Sequence, residues 1–187
     1  MDSTTMRSYS AILSEELILA TGCTEPIAIA YAAAKLRETL GRAPERLTAE
    51  VSGNILKNVK SVVVPNTGGM KGIRAAVAAG VIAGNADAAL QVISAVTPEQ
   101  LQEIKDYAEQ IPMEVSCIED TPCLLDILLT GWIGADKAVV RLANNHTNIV
   151  YLEHNGRVLR QLPISDSAED NLQDKSVLNL QEVLTYA

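Results

Sequence analysis

Apolar residues recur at helical spacing over residues 9–20, where Tyr9, Ile12, Leu13, Leu17 and Ala20 form a stripe and Ser14, Glu15 and Glu16 lie off it. An amphipathic helix is predicted there. TGCTEP at 21–26 interrupts it, and a second helix starts on Pro26, whose missing N–H costs nothing in a first turn, with Thr24 as the natural N-cap and Gly41 near the end. Residues 46–51, RLTAEV, alternate as a strand with Leu47, Ala49 and Val51 on one face, and Ser52, Gly53 and Asn54 close it. A short helical turn over 55–59 follows, where Asn54 or Asn58 is placed to bring a side-chain amide near the Pro65 loop, the competing reading of each being a cap or turn residue. Residues 71–84, KGIRAAVAAGVIAG, consist almost entirely of small and β-branched residues, so a helix there admits a neighbouring backbone at short distance and belongs near the centre of the packing. The pattern continues helically over 85–91. Thr97 followed by Gln100 fits a capping box for a further helix over 99–109 with a charged, solvated outer face.

After Pro112 the period changes to extended. Residues 114–118, 123–130, 137–142, 148–153 and 157–161 are short and β-rich, separated by Gly, Asn and Asp signals. His154-Asn155-Gly156 is a strong hairpin turn, because Asn-Gly readily takes two positive φ values. An antiparallel meander covered on one face by helices is expected, so the fold class is α+β. Residues 1–164 read as that domain, 165–175 as an acidic, polar linker, and 176–187 as the start of a truncated helix with Asn179 as cap and Leu180, Val183 and Leu184 as its stripe.

The stretch 52–72, SGNILKNVKSVVVPNTGGMKG, has the order extended segment, glycine turn, helix. Such a turn leaves backbone N–H groups unpaired at the positive end of a helix dipole, where a carboxylate or phosphate can take them up. Gly68 and Gly69 admit positive φ and close approach of a ligand. It is not a Walker loop, because Gly72 and not Ser or Thr follows Lys71. The competing reading is a tight loop feeding a buried helix. Arg74, one turn on, is placed either to neutralise a ligand carboxylate or to form a solvent-facing salt bridge. Cys23 precedes a helix start, where the dipole favours a thiolate, while Glu25 opposes a second negative charge. Both features sit at helix N-termini, so Cys23 and the 66–69 loop are expected to face one cleft.

Charge and composition narrow the functions. A formal net charge of −8 argues against nucleic acid and anionic membrane partners, both of which need clustered Lys and Arg. No apolar run approaches the roughly 18 residues of a membrane span and no secretion signal opens the chain, so a cytoplasmic protein is expected. Three cysteines, an odd number, read as thiols. Cys117 and Cys123, with His146 and His154 downstream, match no common zinc spacing, and the two cysteines read as buried small hydrophobes. With no Phe, one Trp and five Tyr, the core must come from Ala, Val, Ile and Leu.

VVVPNTGGMKGI at 62–73, with TGCTEP at 21–26 and NHTNI at 145–149, resembles the amino-terminal half of proteins related to L-cysteine desulfidase and the L-serine dehydratase alpha chain, the pieces following family order up to about Leu159. The resemblance implies a lyase that removes HS⁻ or water from a small L-amino acid by β-elimination, leaving pyruvate and ammonia. It implies an iron-sulfur cluster in the full-length protein, held by cysteines of a missing carboxy-terminal half on the same or a partner chain, with none expected in this chain alone. By the same resemblance Cys23 is a catalytic base or cluster neighbour. Asn66, Thr67, Gly68 and Gly69 hold the substrate carboxylate, and Asn54 and His146 are further polar contacts.

Two readings of other classes stand beside this one. The first is an amino-acid or carboxylate-binding regulatory domain that uses the same glycine loop without catalysis. The second is a scaffold whose small-residue helices serve homo-oligomerisation.

Overall fold

The computed structural model describes residues 2–17, 20, 22–164 and 174–186. They divide into two compact units, one combining residues 1–19 with 167–187 and the other comprising residues 20–166. The first unit contains α1 (Ser3–Glu16), a 3-10 turn (Lys175–Val177) and α6 (Leu180–Tyr186). Helix α1 begins earlier than its apolar stripe, because the Asp2 carboxylate accepts from the Thr4 and Thr5 N–H groups. The Tyr9 ring meets Tyr186 edge-on at 5.6 Å, and its hydroxyl donates to Val177 O and accepts from Asn179 N. Asn179 caps α6 through the Glu182 N–H, as its side chain predicts. Most of the expected 165–175 linker, 165–173, lies outside the described residues.

The second unit is α+β. A six-stranded sheet runs in the order β2-β1-β3-β4-β5-β6, built from β1 (Arg46–Val51), β2 (Met113–Cys117), β3 (Asp126–Ile133), β4 (Asp136–Ala143), β5 (Ile149–His154) and β6 (Arg157–Gln161). Strands β3 to β6 form the expected meander, with Asn155 at φ 52 and Gly156 at φ 79 in the last hairpin. Strand β2 departs from it. It lies parallel to β1 at the far edge, with Ala49 opposite Val115, and β1 instead pairs antiparallel with β3, Ala49 opposite Leu129. A parallel partner requires a long crossover, and three helices supply it: α3 (Gly53–Val59), α4 (Gly72–Ala83) and α5 (Pro98–Gln110).

Leu47, Ala49, Val51, Ile127, Leu129, Val140 and Leu142 line the inner face of the sheet and are buried. Helix α2 (Thr24–Leu40) lies on that face, and its residues 27–30 and 32–34 and Leu36 are all fully buried. Over residues 26–34 the helix is buried all round and cannot be amphipathic, which explains its run of Ala and Ile. Helix α4 covers the opposite side of α2. A Cβ on Gly80 would lie 2.1 Å from Ala30 O, and one on Gly84 would lie 2.7 Å from Ala34 Cβ. Both contacts advance by four residues along both chains, so α2 and α4 run parallel and begin at the same end. Their small-residue surfaces are spent on each other inside the unit. Helix α5 packs outside α4 behind the Thr97 and Gln100 capping box. The predicted continuation over 85–91 is instead a separate 3-10 segment, Ala86–Gln91, because α4 stops at Gly84 and Asn85 caps a new start through the Asp87 N–H.

Candidate functional site

At the end of the sheet where β1 and β4 finish, α2 begins, and four polar side chains from three segments gather there. Cys23 is the N-cap of α2 by backbone position, one residue before the expected Thr24, and it makes no side-chain cap bond. Its thiol instead donates to Glu25 Oε2 at 3.1 Å. The other oxygen of Glu25 accepts from Asn58 Nδ2, on α3, at 3.4 Å. His146, half-buried in the β4–β5 loop, is close enough for its charge and that of Glu25 to shift one another.

These contacts set the charge states. The Cys23 thiol, its hydrogen-bond donor, holds the Glu25 carboxyl below its usual range against partial burial, with Asn58 and His146 adding to the effect. Partial burial, and then Glu25, push the Cys23 thiol up. The dipole effect expected to favour a thiolate is therefore outweighed by burial and by the carboxylate in contact with the thiol. At neutral pH the pair is a protonated thiol donating to an ionised carboxylate. Burial pushes His146 down and Glu25 acts the other way, leaving it neutral at pH 7.

The glycine loop lies beside this cluster. Gly22 sits at φ +109, and a Cβ there would come within 2.9 Å of Pro65 Cγ, so the turn before α2 abuts the loop before α4. Val63 and Lys71 bridge antiparallel, and the Val64 and Gly72 N–H groups bond to Met70 O and Val62 O. The chain from 65 to 70 is thereby pinched into a hairpin with positive φ at Asn66, Gly68 and Gly69. Two of its side chains do structural work. Thr67 is buried and donates to Val64 O at 2.7 Å, and Asn66 Nδ2 donates to Ile93 O at 3.1 Å. Among the described residues, the backbone N–H groups of Asn66, Thr67, Gly68 and Gly69 have no protein acceptor. Helix α4 has no side-chain cap either. What the loop offers a ligand is backbone, as glycine at φ 68 and 92 allows.

Other candidates go elsewhere. Arg74 donates to the carbonyl oxygens of Ala108, Ile111 and Met113, closing the end of α5, and so neither meets a ligand nor forms a surface ion pair. Asn54 is exposed on the first turn of α3, and no side-chain bond ties it to the Glu25 cluster. Cys117 is exposed at the sheet edge, not buried, because β2 is an edge strand and not an inner one. Cys123 is buried and donates to Asn144 Oδ1 at 2.9 Å. Among the described residues no three His, Cys, Asp or Glu side chains converge to hold a metal ion. Cys23, Cys117 and Cys123 thus do not converge on one point, as the thiolate ligands of an iron-sulfur cluster must. Asn58, read from the sequence with Asn54 as an amide near the Pro65 loop or a turn residue, donates to Glu25. Glu25 is the site residue the sequence did not single out as a ligand, and its signal was the helical spacing that puts it in the first turn of α2, facing whatever lies past its start.

Fold and cluster together define an α+β domain with a small polar cluster at uncapped helix starts. The chain is similar to proteins designated UPF0597: one of Desulfitobacterium hafniense, 45% identical over 97% of this chain and 42% of its own length, and one of Treponema denticola, 44% identical over 100% of this chain and 43% of its own. One of Finegoldia magna is 45% identical over 82% of this chain and 37% of its own length. The chain thus spans less than half the length of the curated relatives it matches. No family model and no solved structure matches it. These findings correct the expected kinship. The matching relatives carry the UPF0597 designation, not that of a desulfidase or a dehydratase, so the assignment of this chain as the amino-terminal half of a β-eliminating lyase is withdrawn. Among the described residues no helix is long and apolar enough to cross a membrane.

Proposed function

We propose that residues 20–166 bind a small L-amino acid as its zwitterion, at the end of the sheet where α2 and α4 begin. The observation that carries this reading is an opposition of charge across one contact, that of Gly22 with Pro65. On one side are the unspent N–H groups of Asn66–Gly69 and the start of α4, which has no side-chain cap. They favour a carboxylate. On the other side is the ionised Glu25, which favours an ammonium group and is held in place by Cys23 and Asn58. Cys23 in this reading is a hydrogen-bond donor that fixes the acceptor. Neutral His146 adds a polar wall without a competing positive charge. We place the domain in the cytoplasm, where the exposed thiols of Cys23 and Cys117 stay reduced.

Thermal denaturation against a panel of L-amino acids tests the reading. A ligand that binds only the folded state stabilises it by about 2.7 kcal/mol at a hundredfold excess over Kd. L-serine and L-alanine raise Tm, whereas propionate and ethylamine, each carrying one of the two charges, raise it much less. Equal shifts with propionate, or none with any of the amino acids, overturn it.

A further inference from the structure

The outer face of the sheet, away from α2, carries a groove of about 470 Å³ that the amino-acid reading does not use. Its floor is apolar, with Leu128 on β3, Val139 on β4 and Val150 on β5, and Leu162 and Ile164 form one wall where the chain runs on past β6. Most polar groups around it are bonded to one another, and Glu153 keeps its negative charge. Arg141 makes a two-pronged pair with the fully buried Asp126 at 2.7 and 2.9 Å, and Thr121 donates to the same carboxylate. Tyr151 donates to Glu153 Oε2, and Glu153 Oε1 accepts from the Gly156 N–H.

Two groups are left over. Thr130 lines the groove at 8% exposure, yet its hydroxyl bonds to no described residue. Lys137 lines the groove too, with no carboxylate of the described residues within 4.0 Å of its ammonium. Register puts them near one another, Thr130 opposite Val139 and Lys137 two residues along the same strand. The Thr130 hydroxyl opens onto the groove and is free to donate to a ligand acceptor there. An unpaired cation at the rim of an apolar floor is complementary to one negative charge on an apolar body.

We infer that this groove is a binding site for an alkyl monocarboxylate, its carboxylate on Lys137 Nζ and Thr130 Oγ1 and its chain on Leu128, Val139 and Val150. The inference does not rest on the amino-acid site, which lies at the end of the sheet and not on its outer face.

Decanoate titrated into the full chain is the probe. Trp132, the only tryptophan, stands opposite Lys137 in the β3–β4 register and reports by fluorescence. A saturable change is expected, weakened about tenfold or more by Lys137→Met and about fivefold by Thr130→Val. Decanol, which lacks the charge, binds at least about tenfold more weakly. Amide chemical shifts of the unmodified chain keep the test open should a variant fail to fold, since the largest changes must fall on residues 128–141 and 150–153. Equal binding of decanol and decanoate, shifts centred elsewhere, or no saturable binding overturns the assignment.

Discussion

At the scale of single residues, the Cys23 and Glu25 contact decides what the thiol can do. A helix start alone favours a thiolate, but partial burial, and then the Glu25 carboxylate at 3.1 Å, raise the thiol pKa. In a Cys117→Ser background, alkylation of Cys23 should therefore be slow at pH 7 and accelerate only at alkaline pH. Glu25→Gln should move that midpoint down and speed the reaction at pH 7. An unchanged midpoint would mean that the carboxylate does not govern the thiol. His146 gives a second prediction. Its folded pKa lies below the ordinary value of 6.5, so the unfolded chain binds the proton more readily. The stability it contributes is complete above pH 6.5 and is lost as the pH falls through its folded value. Urea midpoints at pH 7.5 and 5.5 should differ less in His146→Gln than in the unmodified chain, and an equal or larger difference contradicts the assignment.

At the scale of elements, the parallel approach of α2 and α4 depends on glycine. A Cβ on Gly80 would sit within 2.8 Å of three backbone atoms of Ala30, none of which can swing aside. Gly80→Ala should cost about 3 kcal/mol or more by urea denaturation. Gly41→Ala, at φ +78 with open space around it, should cost about 1 kcal/mol. Comparable losses at the two positions would show that the helices separate easily. The pair formed by Asp126 and Arg141 adds a test on the sheet. Arg141→Met strands a fully buried carboxylate and should cost about 3–5 kcal/mol, whereas a double replacement of both partners by apolar residues should cost less.

Element by element, local chemistry was readable and partner choice was not. The Thr97 and Gln100 capping box, the Asn155-Gly156 hairpin and the small-residue helix at 72–83 each declare themselves within a few residues, because their causes are local sterics and hydrogen bonds. Residues 113–117 declare a strand but not that it lies parallel to β1. Pairing is settled by which crossover buries α4 and α5, which no window of sequence contains. Arg74 was ambiguous for the same reason, since its three carbonyl acceptors lie 34 to 39 residues away. In the site, the loop glycines were legible. The inward turn of Asn66 and Thr67 and the role of Glu25 were not, because they depend on Ile93, Val64 and Asn58 arriving from other segments.

At the scale of the molecule, the two proposed sites lie at one end of the sheet and on its outer face, while its inner face is committed to α2. The UPF0597 relatives extend well beyond the length matched here, and the amino-acid reading concerns only the unit of residues 20–166. Its central claim is that Glu25 recognises an ammonium group while the 66–69 backbone recognises a carboxylate. Calorimetric titration of L-serine and of glycolate, which lacks the ammonium group, into the unmodified chain and Glu25→Gln tests that claim most directly. The unmodified chain should prefer L-serine by about tenfold or more, and Glu25→Gln should abolish the preference while still binding glycolate. A preference that survives the substitution, or its absence from the unmodified chain, would contradict it.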